Sequence, residues 1–180
     1  MTIITEDVLQ FQFDKSVSVL KYDNTAYYRN QFQNRCYHDN KAVDIIVYNT
    51  ENIWLIEIKD FRIHGRSKEQ RLEDELSQKV RDTLAGLFGA NYYPHSDDDE
   101  KEFFKNIKRT KNLYFVLHIE QPSKSNNKMS IYDPKDLKDK LRNTLKAIHP
   151  TILILNKNST GSYDIPWSVQ ELQNDDNGAV

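Results

Sequence analysis

The chain has 180 residues, 38% of them hydrophobic and 29% charged, with 25 Lys and Arg against 27 Asp and Glu for a net charge of −2. That length suits one domain with a real core, and the near-balance of charge excludes a protein that coats nucleic acid through bulk basicity, so any phosphate-binding surface must be a local patch. A single cysteine, Cys36, excludes an intramolecular disulfide; no apolar run approaches the roughly 18 residues of a membrane span, and Met1-Thr-Ile-Ile-Thr-Glu does not read as a signal peptide, so a cytoplasmic protein is expected.

Thr5-Glu6-Asp7-Val8-Leu9 opens like a helix N-terminus, with Thr5 as cap and acids in the first turn. Phe11-Gln12-Phe13 and Val17-Ser18-Val19 then alternate as strands do. The segment from Thr25 to Arg35 is rich in Tyr, Gln and Arg. It reads either as a surface that stacks on bases and meets phosphate or as an amphipathic element whose aromatic bodies are buried.

Val43-Asp44-Ile45-Ile46-Val47-Tyr48 and Ile53-Trp54-Leu55-Ile56-Glu57-Ile58-Lys59-Asp60 are apolar, β-branched runs separated by Asn49-Thr50-Glu51-Asn52. They predict an antiparallel hairpin with Tyr48 facing Ile53 and Asp44 directly opposite Glu57. Glu57 and Lys59 then share one face, while Ile56 and Ile58 share the other. Like charges directly opposite repel at Cβ separations of roughly 4.5 to 5.5 Å, and a divalent cation between the carboxylates would compensate them. Two acids and a lysine around a hard cation suit phosphodiester hydrolysis. The plain alternative is a solvent-exposed face carrying ordinary surface charges.

Beyond this strand, Arg62, Arg66 and Lys68 fall in a short basic loop that could contact a phosphate backbone. Leu72, Leu76, Val80, Leu84 and Leu87 place one apolar stripe on a helix predicted over Lys68 to Gly86. Lys79 lies at the stripe's edge, about 20° from Leu72, as an auxiliary lysine or as the partner of Glu75 and Asp82 in a helical ion pair; Gln78 is the second choice for the auxiliary role. Asp97-Asp98-Asp99-Glu100 reads as an exposed acidic loop, Glu102 to Lys108 as a short helix, and Leu113 to Ile119 as a buried strand. A loop at Pro122 to Ser130, a helix from Pro134 to Ile148 and a strand at Thr151 to Leu155 follow, predicting a parallel strand-helix-strand crossover. His64, His95, His118 and His149 are scattered, no nucleophile motif accompanies them, and 5 glycines supply no phosphate-cradling loop.

At the hairpin the sequence resembles the PD-(D/E)XK nuclease superfamily, the restriction-endonuclease-like fold. Asp44 matches its first strand acid and Glu57-Ile58-Lys59 its (D/E)-X-K element, with Val43 where the family usually has proline. Acid-X-Lys also occurs at Asp39/Lys41, Asp99/Lys101, Asp133/Lys135 and Asp136/Lys138, but only Glu57/Lys59 interrupts an apolar strand. The resemblance implies that Asp44, Glu57 and the Ile58 carbonyl hold Mg²⁺ or Mn²⁺ and that Lys59 orients the attacking water. It leaves open whether an upstream acid, Glu6 or Asp7 being the only ones in a predicted helix, completes the site.

The expectation is therefore an α/β, restriction-endonuclease-like sandwich: a mixed β-sheet with an antiparallel hairpin and flanking helices, as one domain over 1–172 with a disordered tail at 173–180. Its expected activity is metal-dependent endonuclease cleavage of DNA through Asp44, Glu57, Lys59 and Lys79, as a homodimer or beside a partner subunit. The alternatives are a catalytically silent nuclease-fold binding or assembly subunit and an RNA-cleaving nuclease.

Overall fold

Leu9-Gln10-Phe11-Gln12-Phe13 alternates so strictly that Leu9, Phe11 and Phe13 enter the core together while both glutamines stay partly exposed. In the computed structural model, which describes residues 1–62, 66, 68–93, 97–122 and 131–172, this strand is β2 (Leu9–Phe13). It pairs antiparallel with β1 (Thr2–Glu6) on one side and β8 (Trp167–Glu171) on the other. The helix expected at Thr5 to Leu9 is thus a tight hairpin. Asp7 takes a left-handed φ of 49° at its turn, a conformation Asp tolerates.

The second sheet has the order β3-β4-β5-β6-β7, formed by β3 (Ser18–Lys21), β4 (Ile45–Tyr48), β5 (Asn52–Asp60), β6 (Asn112–Glu120) and β7 (Thr151–Leu155). The pairs β3·β4 and β4·β5 are antiparallel, β5·β6 and β6·β7 parallel, so the sheet is mixed. Its two faces are divided by strand alternation. Ile46, Ile53, Leu55, Phe115, Leu117 and Ile152 pack under the helices α1 (Leu72–Ala90), α2 (Asp98–Ile107) and α3 (Pro134–Thr144). Ile45, Val47, Trp54, Ile56, Val116 and Leu155 pack instead against Leu9, Phe11, Phe13, Trp167 and Val169 of the three-stranded sheet. Among the described residues the helices flank one face, and a second sheet, not expected from the sequence, covers the other. Each fully buried Phe of that interface contributes roughly 1.5–3 kcal/mol.

Helix α1 starts and ends later than its sequence pattern predicts. Gly86 does not terminate it; a Cβ there would run into the Tyr22 hydroxyl and lie 3.3 Å from the Phe32 ring, so the glycine admits those aromatics. The acidic run at Asp97 to Glu100 is the start of a helix rather than a loop. Asp97 caps it by accepting from the Glu100 amide at 2.9 Å, and the following acids face the positive end of the helix dipole. Glu100 is buried, and its carboxylate accepts from the amides of Ala26 at 2.7 Å and Tyr27 at 3.2 Å. Asp133 caps α3, whose first residue is Pro134, and the helix gives way after Thr144 to a turn ending at His149, with φ of 57°.

Thr25 to Arg35 takes the amphipathic alternative: Tyr28 and Phe32 of a π-helical turn (Tyr28–Phe32) are buried and Arg29 is exposed. No helix among the described residues is long and apolar enough to cross a membrane. The tail at 173–180, residues 123–130 of the expected loop, His64 and His95 lie outside the described residues.

Candidate functional site

The hairpin register is Tyr48 to Ile53, Val47 to Trp54, Ile46 to Leu55 and Ile45 to Ile56, as predicted. The paired register stops at Ile45 and Ile56, and the Asp44 amide donates to the Ile56 carbonyl at 3.1 Å, so the expected direct Asp44–Glu57 pair is not part of the ladder, although both carboxylates reach Lys79. Because β5 outruns β4, the Ile58 amide has no strand partner on that side; the Asp44 carboxylate accepts from it at 2.7 Å and is fixed across the ribbon. The segment leading into Asp44 is held by α1. The Lys41 amide donates to Asp82 and the Val43 amide to Thr83 Oγ1, each at 3.0 Å.

Glu57 is fully buried on the helix-covered face, which overturns the alternative of an exposed hairpin face. Lys79, from the second turn of α1, places its ammonium 2.6 and 2.8 Å from the two Glu57 oxygens and 3.7 Å from Asp44 Oδ1. Lys59 approaches Glu57 Oε1 at 2.6 Å. Burial pushes the Glu57 carboxyl up, the neighbouring Asp44 charge adds to this, and the ammoniums of Lys79 and Lys59 pull it back, leaving it near 7. Burial opposes the Lys79 charge, but Glu57 and Asp44 outweigh that and raise it above the usual lysine value. The repulsion from which the sequence inferred a divalent cation is met here by two ammoniums. Lys79 finds its partners across the strand, not in a helical pair with Asp82.

Asp44, Lys59 and Lys79 line a cleft of about 610 Å³ together with Arg29, Lys41 and Lys68, while Glu57, bound by both lysines, is fully buried. Asp44, Glu57, Lys59 and Lys79 are brought together; of the three cations expected beyond the strand, Arg62 is engaged away from the cleft, while Lys68 lines it and, with Arg66, pairs with Glu75. Arg62 binds Asp60 through Nη2, at 2.5 Å, and Glu171 through Nη1, at 2.6 Å, stapling β5 to β8 away from the cleft. Arg66 and Lys68 turn to the buried carboxylate of Glu75 at 2.6 and 2.8 Å. Gln78 donates to the Asp39 carbonyl at 3.4 Å. Glu6, a possible upstream acid, pairs with Lys21, while Asp23 lines the cleft instead. Sequence reasoning missed Asp23, Lys41 and the central place of Glu75, although Glu75 precedes Lys79 by one helical turn.

Among the described residues no group of three or more His, Cys, Asp or Glu side chains is arranged to hold a metal ion. The donors that could hold Mg²⁺ or Mn²⁺ are Asp44, Glu57 and the Ile58 carbonyl. The two carboxylates share the Lys79 ammonium, which covers both Glu57 oxygens and would have to withdraw for a metal to bind there.

No family model and no solved structure matches the chain. It is similar to a cysteine–tRNA ligase of Neisseria meningitidis (serogroup A / serotype 4A), with 34% identity over 68% of this chain. The match spans 22% of the ligase's length. This finding corrects the expectation of a metal-dependent DNA endonuclease, together with its variants as a silent nuclease subunit or an RNA-cleaving nuclease: the named relative is a tRNA ligase. The physical ground for the earlier expectation is also weaker, because Lys59 and Lys79 already neutralise the acid pair, and a constellation of charges on a fold does not by itself specify a reaction.

Proposed function

We propose that the chain has a function related to that of the cysteine–tRNA ligase and that its share is to hold tRNA, with backbone phosphates against the cations of the cleft. The observation that carries this reading is the 34% identity to the ligase. On the cleft lining Arg29, Lys41, Lys59, Lys68 and Lys79 outnumber Asp23, Asp44 and Glu75, with Arg29 and Lys41 not engaged by those acids, a local excess of positive charge on a chain of net charge −2 that supports a phosphate contact. Amino-acid activation is not assigned to this chain: the match spans 22% of the ligase, and the sequence has no phosphate-cradling glycine loop. A partner subunit carrying that chemistry is part of the proposal.

Asp44, Glu57 and the Ile58 carbonyl would hold Mg²⁺ or Mn²⁺ if one binds here, and the ion would supply positive charge for an anionic ligand. Hairpin, long helix and parallel strand-helix-strand, in that order, support a restriction-endonuclease-like fold, without carrying an activity with it.

Fluorescence anisotropy with labelled tRNA and with duplex DNA, at two salt concentrations, tests the reading. tRNA is expected to bind more tightly than the duplex, and Lys41→Gln to weaken tRNA binding and reduce the log–log salt slope by roughly 0.7–0.9. Equal affinity for the duplex, or no tRNA binding, overturns it. Calorimetric titration with Mn²⁺ tests the metal separately: heat is expected from the parent and none from Asp44→Asn.

A further inference from the structure

The first turn of α1 carries an ion cluster that adjoins the Glu57 site and shares Lys59 with it. Glu75 is 1% exposed, yet three cations converge on it. Lys68 Nζ lies 2.8 Å and Lys59 Nζ 3.6 Å from Oε1, and Arg66 Nη2 lies 2.6 Å from Oε2. The Arg66 guanidinium also donates to the Gln70 carbonyl, from Nη2 at 2.6 Å and Nε at 3.2 Å, so its orientation is set within the protein. Lys59, Lys68 and Glu75 all face the cleft. Glu75 thus answers Arg66 and Lys68 directly, with Lys59 shared between it and Glu57, which lies closer at 2.6 Å, beside the N-terminus of a 19-residue helix whose N-cap residue makes no side-chain hydrogen bond.

A guanidinium whose orientation is set, here by the Gln70 carbonyl, and two ammoniums are groups that bind a phosphate. Here they close on a carboxylate of their own chain. Burial by itself would push the Glu75 carboxyl up, but the bonds from Lys68 and Arg66 hold it down at about 2, so the occupant keeps its negative charge across the physiological range.

We propose that Lys59, Arg66 and Lys68 form a phosphate subsite in which Glu75 is a built-in stand-in that a backbone phosphate of the ligand displaces. The assignment of the phosphate to RNA rests on the reading of the cleft given above. A tethered carboxylate competes at a high effective concentration, so a free phosphate ion is held off. A polyanion that also engages Arg29 and Lys41 gains enough from those contacts to move Glu75 aside. The device selects a nucleic-acid backbone over the abundant small anion.

Thermal unfolding of the full chain, with inorganic phosphate titrated against sodium chloride at matched ionic strength, tests the subsite without RNA. Glu75→Gln keeps the shape and leaves Arg66 and Lys68 without their counter-charge, while Lys59 keeps Glu57. Its midpoint is expected to fall in chloride and to recover in phosphate, at concentrations at least tenfold below any that move the parent. Glu75→Gln with Arg66→Gln is expected to lose that response. An equal phosphate shift in parent and Glu75→Gln, an equal shift in the single and double variants, or a Glu75→Gln chain that no phosphate concentration folds overturns the proposal. As a second variant, Lys68→Gln alters a side chain 59% exposed and is expected to weaken tRNA binding about fivefold; unchanged binding also overturns it. Absence of tRNA binding by the parent would remove the RNA reading alone, because the phosphate response of Glu75→Gln does not depend on it.

Discussion

Glu57 and Glu75 are two buried carboxylates from neighbouring elements whose environments drive them in opposite directions, and the difference is measurable. The Glu57 carboxyl rises from 4.5 to about 7, burial being the largest cause. The folded state therefore holds its proton more tightly than the unfolded chain, and the associated stability is complete below pH 4.5 and lost as pH rises towards 7, a change on the order of a few kcal/mol. Glu75 works the other way: burial opposes its charge, yet Lys68 and Arg66 hold it at about 2. Its stabilisation is present above pH 4.5 and lost as pH falls towards 2. Urea midpoints measured across pH 3 to 8 are expected to show both limbs. Glu57→Gln should flatten the decline between about 4.5 and 7 and leave the acid limb in place. If Glu57→Gln keeps the full decline, another group is responsible. The proximity of Asp44 to Glu57 was legible in the sequence because a short turn fixes the register from Tyr48 and Ile53 to Ile45 and Ile56, although Asp44 itself lies just beyond the paired ladder. The convergence on Glu75 was not, because Arg66 and Lys68 come from a segment with no regular period.

The elements show where pattern suffices and where it is overridden. The two faces of β5 follow directly from Ile53, Leu55 and Glu57 alternating with Trp54, Ile56 and Ile58. Thr5 to Leu9 misled for a local reason: Thr and Asp serve a helix cap and a tight turn equally well, and the alternation of Leu9, Phe11 and Phe13 was the better guide. Gly86 misled in another way, reading as the end of a helix when its use is the approach of Tyr22 and Phe32. Gly86→Ala gains helix propensity of up to about 1 kcal/mol but forces these aromatics apart, and a net loss of roughly 1–3 kcal/mol is expected by urea denaturation. A stabilised variant would mean that Tyr22 yields freely. Thr83→Val, which leaves the buried Val43 amide without its acceptor, is expected to cost about 1–3 kcal/mol. It should also loosen Asp44, read as weaker binding of Mn²⁺.

Across the whole molecule, the two sheets are joined by one apolar interface and by the staple from Arg62 to Asp60 and Glu171. Both tryptophans of the chain lie in that interface, Trp54 from the larger sheet and Trp167 from the smaller, with ring centroids 5.9 Å apart. Their emission therefore reports sheet docking, while far-ultraviolet dichroism reports the elements themselves. Coincident denaturation curves from the two probes are expected if the sheets unfold as one unit. An earlier emission change would show the small sheet leaving first. This sheet was the part of the fold least legible in advance, because β8 lies about 150 residues from its partner strand β2 and short-range pattern is silent about such pairing.

The parallel pairing of β5 with β6 carries a kinetic burden. Asn52 meets Asn112 in that register, so the ribosome must deliver the whole of α1 and α2 before the ribbon's second edge acquires a neighbour. Until then a growing chain displays the unpaired backbone of β5 beside its aliphatic side chains, the kind of surface that seeds aggregation. At an elongation rate of roughly 5–20 residues per second, that interval lasts some seconds, long enough for trigger-type chaperones to matter to the yield of native protein.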